Sequence, residues 1–311
     1  MKLMNNIIKR FSNNSELNQR KYVIIRVLRF TIQLIFLFII NLALGPYPIP
    51  LPILGLSAPW STFPGAFELL QIMIALLVVP IVPVITFILS NIFLGRIFCG
   101  WLCPFGLAQD IAALITSAKR KINPKTHEAL HKVRWIILTF TFMFSFIFAY
   151  INSIGSLDQY KTYLGQAFIL TPYNAFSPDT MIFATIPLNL LLGLPSDILK
   201  GAEYLIGNGI LMFRFIIMIL VLIGMAKIER FWCRYGCPVG LLNGMISKYS
   251  IFGIYKYPER CDNCGVCNKV CPVQIDIAGS GLGRIDHFEC ISCMQCVFAC
   301  DRKALKVTYK S

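Results

Sequence analysis

The sequence predicts an α-helical integral membrane protein of four transmembrane helices with an internal repeat, followed by a small, cysteine-rich α+β C-terminal domain. Three observations predict it. Of the 311 residues, 56% are hydrophobic and 14% charged, where soluble domains hold about 45–50% and about 25%; an ordinary soluble enzyme is excluded. Several apolar stretches approach the roughly 20 residues that a helix needs to cross hydrocarbon. The bases, 29 Lys plus Arg against 15 Asp plus Glu, crowd one side of those stretches.

Residues 1–21 are polar and basic, with Lys2, Lys9, Arg10, Arg20 and Lys21. The first span runs from Tyr22 to Leu44, broken only by Arg26, Arg29, Thr31, Gln33 and Asn41. More membrane follows it, so it reads as an uncleaved anchor and not as a signal peptide. Residues 45–66 hold six prolines and no Lys or Arg, an irregular outer segment whose Tyr47 and Trp60 suit an interface. The second span, Phe67 to Leu94, is kinked by Pro80 and Pro83. A helical segment ending at Lys119, Arg120 and Lys121 leads to the third span, Val133 to Tyr150. Residues 152–178 read as a polar loop. Met181 to Leu194 is apolar but short and contains Pro187, which makes it re-entrant or interfacial. The fourth span is Ile206 to Ala226. The resulting domains are a cytoplasmic segment 1–21, a membrane domain 22–250 and a cluster-binding domain 251–311.

Orientation follows from the bases. Of the 29, 26 lie before Arg29 inclusive, between residues 96 and 134, or after residue 226; only Lys161 and Lys200 fall in outer segments, and Arg214 lies inside the fourth span. By the positive-inside rule both termini are cytoplasmic, in a cell inner membrane. The basic balance is thereby explained without nucleic acid, for which no motif is present.

Two segments match at an offset of 134 residues: Arg96-Ile-Phe-Cys99-Gly-Trp-Leu-Cys103-Pro104-Phe-Gly106-Leu107 and Arg230-Phe-Trp-Cys233-Arg-Tyr-Gly-Cys237-Pro238-Val-Gly240-Leu241. The shared pattern, R-x-F/W-C-x-x-x-C-P-x-G-L, closes an apolar span on the basic side each time, as an internal duplication does. In a helical turn, Cys at i and i+4 share a face, and a pseudo-twofold between the copies would bring Cys99, Cys103, Cys233 and Cys237 together as thiolate ligands of one intramembrane metal centre. The same four also fit two plainer readings, small packing residues or a redox-active thiol pair.

The C-terminal domain reads Cys261-x-x-Cys264-x-x-Cys267-x-x-x-Cys271-Pro272 and then, from Cys290, Cys290-x-x-Cys293-x-x-Cys296-x-x-x-Cys300. This is the bacterial ferredoxin run, present twice, in which the fourth Cys of each run serves the other cluster. One 4Fe-4S cluster would take Cys261, Cys264, Cys267 and Cys300, and a second Cys290, Cys293, Cys296 and Cys271. Zinc needs pairs with wider gaps. Asp301 stands where the run usually has Pro, which should loosen the turn and lower the first cluster's potential.

On these motifs the chain resembles the NapH family, the membrane quinol-dehydrogenase component of periplasmic nitrate reduction, and the polyferredoxin half of NosR-type proteins, over about residues 22–310. The resemblance implies a membrane electron-transfer subunit of a quinol dehydrogenase-type oxidoreductase. It implies two 4Fe-4S clusters, quinol as an electron source, and donor and acceptor redox proteins within a hetero-oligomeric complex. The CcoG-like proteins are similar in their cysteine motifs and are associated with copper handling during oxidase assembly. The alternative reading is therefore a metal reductase or maturation factor for a respiratory metalloenzyme.

Arg214, within the fourth span, is a candidate for holding a quinone or offsetting a thiolate-bound centre, unless it snorkels to the headgroups. Arg96 and Arg230 fit the same two roles, or mark the membrane boundary. His127 and His131, spaced i, i+4, could both bind one metal or haem, though exposure of both on a solvated helix face is the commoner reading; His287 reads as a surface or packing residue. Trp60, Tyr160, Tyr163 and Tyr173 read as an aromatic belt or as a docking surface for a partner or a quinone tail.

Overall fold

The computed structural model describes residues 16–42, 66–116, 123–156, 169–173, 177–182, 209–281, 283–285 and 287–309. Tyr47, Trp60, Tyr160, Tyr163, the basic run Lys119 to Lys121, and nearly all of the segments 45–66 and 181–194 lie outside these residues. The chain divides into two units, one comprising residues 1–36, 88–135 and 225–311, the other residues 37–87 and 136–224.

The described residues are mostly helical. Helix α1 spans Glu16–Leu42, α2 Ala66–Ala75 and α3 Ile81–Leu94. The expected kinked second span is thus two helices separated by a break at residues 76–80. Leu77 takes a left-handed φ of 60° there, and Pro80, unable to donate a backbone hydrogen bond, immediately precedes α3. A π-helical turn at Phe98–Leu102 leads to α4, Pro104–Thr116, and α5 runs over Pro124–Ser153. Then come α6, Gly209–Lys227, the short α7, Phe231–Tyr235, and α8, Pro238–Ser247. Among the described residues one helix, Lys125–Ser153, is long and apolar enough to cross a membrane, with a mean hydropathy of 1.8. It exposes Trp135, Ile136, Phe146 and Tyr150, apolar surface that water would not favour.

In the unit built from residues 37–87 and 136–224, the core holds Ala75, Phe148 and Ile169. Phe67 meets Phe142 and Tyr173 edge-on at 6.2 and 5.6 Å. Buried Gln71 donates to the Phe67 carbonyl and accepts the Tyr173 N–H, at 3.1 and 3.0 Å. Arg214 belongs to this unit and is half-buried on α6.

The C-terminal part of the other unit is a small α+β module. Strand β1, Phe252–Lys256, is central in a three-stranded antiparallel sheet, with β2, Gly283–Arg284, on one side and β3, Leu305–Tyr309, on the other. The register pairs Phe252 with Tyr309, Lys256 with Leu305, and Tyr255 with Arg284. Helices α9, Val266–Val270, and α10, Gln295–Ala299, follow the two cysteine loops. They pack with Ile254, Val273, Ile275, Ile291 and Leu305 in one core. At five residues each, these helices are far too short to stand alone and depend on that burial.

Candidate metal centres

The two halves of the small module repeat each other at an offset of 29 residues, down to the backbone. Asn263 and Ser292, inside the Cys-x-x-Cys loops, have φ of 53° and 49°; Gly265 and Met294, just after the second Cys, have 72° and 60°. Left-handed residues at these points curl successive N–H groups into a concavity that suits an anion such as a thiolate-ligated cluster. Three of the four carry side chains, each held in a costly backbone conformation.

Cys261, Cys264, Cys267 and Cys300 line one open cavity of about 400 Å³, together with Lys256, Asp262 and Arg302. These are the residues that the crossed ligand pattern assigns to a single cluster. Cys264 is exposed, whereas Cys271, Cys293 and Cys296 of the other set are buried. Burial pushes the Cys267 and Cys290 thiols up to about 11 and Cys271 higher still. Thiols so placed stay protonated near neutrality until a metal displaces the proton.

The turn after Cys300 is not looser for lacking proline. Lys303 N–H reaches the Cys300 carbonyl at 3.2 Å, as Gln274 N–H reaches the Cys271 carbonyl at 3.1 Å. Lys303 and Gln274 both take the left-handed φ, 53° and 55°, so the hydrogen bond holds the turn without the ring.

The duplicated cysteine motif folds as helical turn, cysteine, proline, helix, and it does so twice. Cys99 and Cys233 lie inside the turns Phe98–Leu102 and Phe231–Tyr235. The second cysteines leave the helix, Cys103 at φ −64°, ψ 118° and Cys237 at φ −79°, ψ 110°. Pro104 and Pro238 then start new helices, where a missing N–H costs nothing. The expected shared face of a helical turn is therefore corrected: only the first cysteine lies in the turn, and the second sits at an extended hinge. Cys103 N–H bonds the Phe98 carbonyl at 2.9 Å and Cys237 N–H the Trp232 carbonyl at 2.8 Å, the same bond in each copy.

The copies meet reciprocally. Burial raises the Cys103 thiol well above its ordinary value, and Cys233, Cys99 and Cys237 add to the rise, so the four sulfurs share one neighbourhood. A Cβ at Gly106 would lie 2.4 Å from Arg230 Nη1, and one at Gly240 3.0 Å from Arg96 Nη2. Each motif glycine thus makes room for the motif arginine of the other copy. Arg230 Nη1 also donates to the Cys99 carbonyl at 3.0 Å and approaches Cys233 Sγ at 4.0 Å.

Arg96 and Arg230 are 1% and 0% exposed. Their place is inside the repeat, not on a surface open to a quinone. Arg230 grips Asp110 with two bonds of 2.8 and 2.6 Å, and Arg29 pairs with the same carboxylate. Burial alone would raise the Asp110 carboxyl, but Arg230 and Arg29 hold it below the usual range. The copies differ at the matching position, Gly244. There Arg96 Nη1 donates at 2.6 Å to the Phe288 carbonyl instead of to a carboxylate.

Two amides complete the neighbourhood, and reading the motif alone misses them. Gln109 Nε2 donates to Cys233 Sγ at 3.0 Å, and Asn243 Nδ2 to Cys99 Sγ at 3.8 Å. They stand at the same 134-residue offset, two residues beyond the matched leucines. Extending the repeat by two positions would have found them.

The small module sits directly on the first copy. A Cβ at Gly100 would come within 2.3 Å of the Ile291 carbonyl oxygen, so only glycine permits this approach. Trp101 Nε1 donates to the Ser292 carbonyl at 3.1 Å. Cys99 packs in the same core as Cys271, Cys293 and Cys296.

His127 and His131 are half-buried and not on an open helix face, which corrects the expectation of exposure, and their ligand atoms and that of Glu289 lie within 4.8 Å of one another. Their rings lie 4.4 Å apart and both stand edge-on to Tyr235 at 5.6 Å. His127 Nδ1 is 2.7 Å from the Tyr235 hydroxyl, and His131 Nε2 is 2.7 Å from Glu289. His287 stacks on Phe288 at 5.1 Å. Burial would raise the Glu289 carboxyl, but His131 and Arg234 bring it below its ordinary value.

A cysteine-lined cavity, curled N–H loops and a repeated α+β core define an iron–sulfur protein. The 4Fe-4S binding domain family matches residues 69–123 and 210–254, which contain all four repeat cysteines, and the 4Fe-4S dicluster domain family matches residues 253–301. Among similar proteins, the chain is 30% identical to Protein NirI of Paracoccus denitrificans, over 67% of this chain and 25% of that protein. It is 25% identical to the uncharacterized protein MJ0749 of Methanocaldococcus jannaschii, over 68% and 63%, and 23% identical to Ferredoxin-type protein NapH of Haemophilus influenzae, over 68% and 62%. The chain therefore spans less than two thirds of the length of each of these relatives. No solved structure matches. The chain belongs to the NapH/NosR-like family of ferredoxin-type electron-transfer proteins.

Proposed function

We propose that the chain is a four-span membrane electron-transfer subunit. A segment 1–21 and a cluster domain 251–311 would lie at the cytoplasmic face of an inner membrane, flanking a membrane domain 22–250. Two 4Fe-4S clusters would be held by Cys261, Cys264, Cys267 and Cys300, and by Cys290, Cys293, Cys296 and Cys271. Cys99, Cys103, Cys233 and Cys237 would hold a third metal centre. Such centres supply one-electron transfer; the chain supplies ligation, spacing and exclusion of water.

The observation that carries this reading is that the four repeat cysteines share one neighbourhood and that one of them, Cys99, packs in the same core as Cys271, Cys293 and Cys296. Thiolates placed there form a series leading from an exposed loop at Cys264 into the membrane-side repeat. The apolar faces of α1, α3 and α6, with Ile24, Val27, Ile85, Phe93, Ile216 and Leu220 exposed, support burial in lipid. Electrons would pass between quinol or a cytoplasmic donor and a partner redox protein, within a hetero-oligomeric complex.

Anaerobic purification with partners intact, followed by a quinol-oxidation assay, tests this. Reduction of the clusters by quinol supports the quinol-linked form; no reduction by any quinol rules it out. The copper reading has one observation in its favour, four neighbouring thiols, two of them buried, able to bind a soft ion. Metal reduction without any quinol would favour it.

A further inference from the structure

Gln109 and Asn243 are the least expected residues of the repeat. Both are buried, at 1% and 5% exposure, and each amide is oriented by its own oxygen. Gln109 Oε1 accepts the N–H groups of Trp232 and Cys233, at 2.9 and 3.5 Å, which leaves Nε2 facing Cys233 Sγ. Asn243 Oδ1 accepts from Asn91 Nδ2 at 2.8 Å, which leaves Nδ2 facing Cys99 Sγ. The other two sulfurs take backbone donors: Gly240 N–H lies 3.3 Å from Cys237 Sγ, and Gly106 N–H bonds Cys103. Every sulfur of the repeat therefore faces at least one N–H donor, and Cys233 Sγ has Arg230 Nη1 at 4.0 Å as a second. Arg96, Arg230 and Arg29 surround this set, and Asp110 is the carboxylate bonded among them.

The exposed end also gives its sulfurs backbone donors, Ala304 N–H to Cys300 Sγ at 3.3 Å and Val266 N–H to Cys264, but its charge balance is different. Around its cavity, Lys256 and Arg302 are matched by Asp262 and by Asp301, which follows Cys300. Lys256 Nζ is turned to three carbonyls, those of Ile277, Ala278 and Ser280, at 3.3, 2.6 and 3.1 Å. Asp262 instead accepts the Cys264 N–H at 3.3 Å, taking up a donor that would otherwise be available to the cluster.

A reduced centre carries one more negative charge than its oxidised form, so N–H donors on sulfur and nearby cations stabilise the reduced state and raise the potential. Burial of the repeat works the other way by disfavouring charge. In the same low dielectric, however, the surplus guanidinium charge acts most strongly.

We propose that the repeat centre is the electron-accepting end of this chain, with Gln109 and Asn243 as the positioning residues that set its potential above that of the exposed cluster. This rests on the reading that the four repeat cysteines hold a metal centre. The step is a one-electron transfer: a reduced carrier protein docked at the Cys264 end is oxidised by one electron and the repeat centre is reduced by one. No bond forms or breaks.

The test is a redox titration followed by EPR on the anaerobically purified full-length holoprotein, comparing wild type with Gln109→Leu and Asn243→Leu. In the wild type the repeat signal should be reduced first on lowering the potential. Each variant should lower the reduced-to-oxidised ratio of that signal at fixed poise about tenfold, roughly 59 mV for one electron, with the ferredoxin signals unmoved. A repeat signal reduced last, or amide variants that leave its potential unchanged, overturns the inference while the third centre stands. The wild-type order alone decides the first point should a variant fail to fold. Absence of any third signal overturns the underlying reading as well.

Discussion

Replacing Asp110 by Asn removes a carboxylate bonded to two buried guanidiniums. Arg230 and Arg29 are 0% and 2% exposed, and Asp110 itself 5%. The wild-type carboxylate accepts two bonds from Arg230 and one from Arg29, so two cations share a single anion. Asn keeps the shape but offers one acceptor and turns an NH2 donor toward a guanidinium. Removing one partner of a buried pair costs about 3–5 kcal/mol, because the remaining charge is left without compensation. At roughly 2–4 °C per kcal/mol for a chain of this order, the melting temperature should fall by roughly 6–20 °C. Thermal unfolding of detergent-solubilised holoprotein, followed by tryptophan fluorescence, measures it. Combining Asp110→Asn with Arg29→Gln should recover part of the loss, since one of the two stranded charges goes with it. A fall equivalent to less than about 1 kcal/mol, the range of exposed pairs, would refute the reasoning.

Gly100→Ala drives a Cβ to 2.3 Å from a backbone oxygen and should cost about 1–3 kcal/mol. It should also weaken the magnetic coupling between the repeat centre and the nearer ferredoxin cluster, read by EPR; unchanged coupling and stability would mean that the module does not dock through Gly100. Stability should also fall on the acid side. His127 is held below its ordinary 6.5, by burial first, and Glu289 below 4.5, by His131 and Arg234 against the pull of burial. Both folded-state values are depressed, so their contribution is complete above about pH 6.5 and is lost as pH falls through the folded values. Melting temperatures measured from pH 8 to 4 should hold level and then decline; a rise on acidification would contradict the assignment.

What the sequence makes legible is whatever is written in spacing. The two ferredoxin runs and the duplicated cysteine motif are periodic along the chain, and the structure folds them as matched halves, to the left-handed positions at Ser292 and Met294. The arginine and glycine of the motif were visible, but their cross-copy pairing was not, because spacing along one copy says nothing of what the other copy presents. The same limit hid the surroundings of His127 and His131. Their helix face looks solvated from its own neighbours, and the residues that cover it, Tyr235 and Glu289, arrive from more than a hundred positions away. The i, i+4 argument for the repeat cysteines placed both members of each pair in a helical turn, which holds only for the first. Pro104 and Pro238 end the helical turn, and the convergence comes from the extended hinge before each proline.

The central claim is that the repeat holds a metal centre of its own. Iron analysis with low-temperature EPR on anaerobically purified wild type and Cys99→Ser tests it most directly. The account predicts iron beyond the roughly eight atoms of two 4Fe-4S clusters, with the excess and its signal lost in Cys99→Ser while the ferredoxin signals remain. About eight irons in both proteins, with identical spectra, would contradict it.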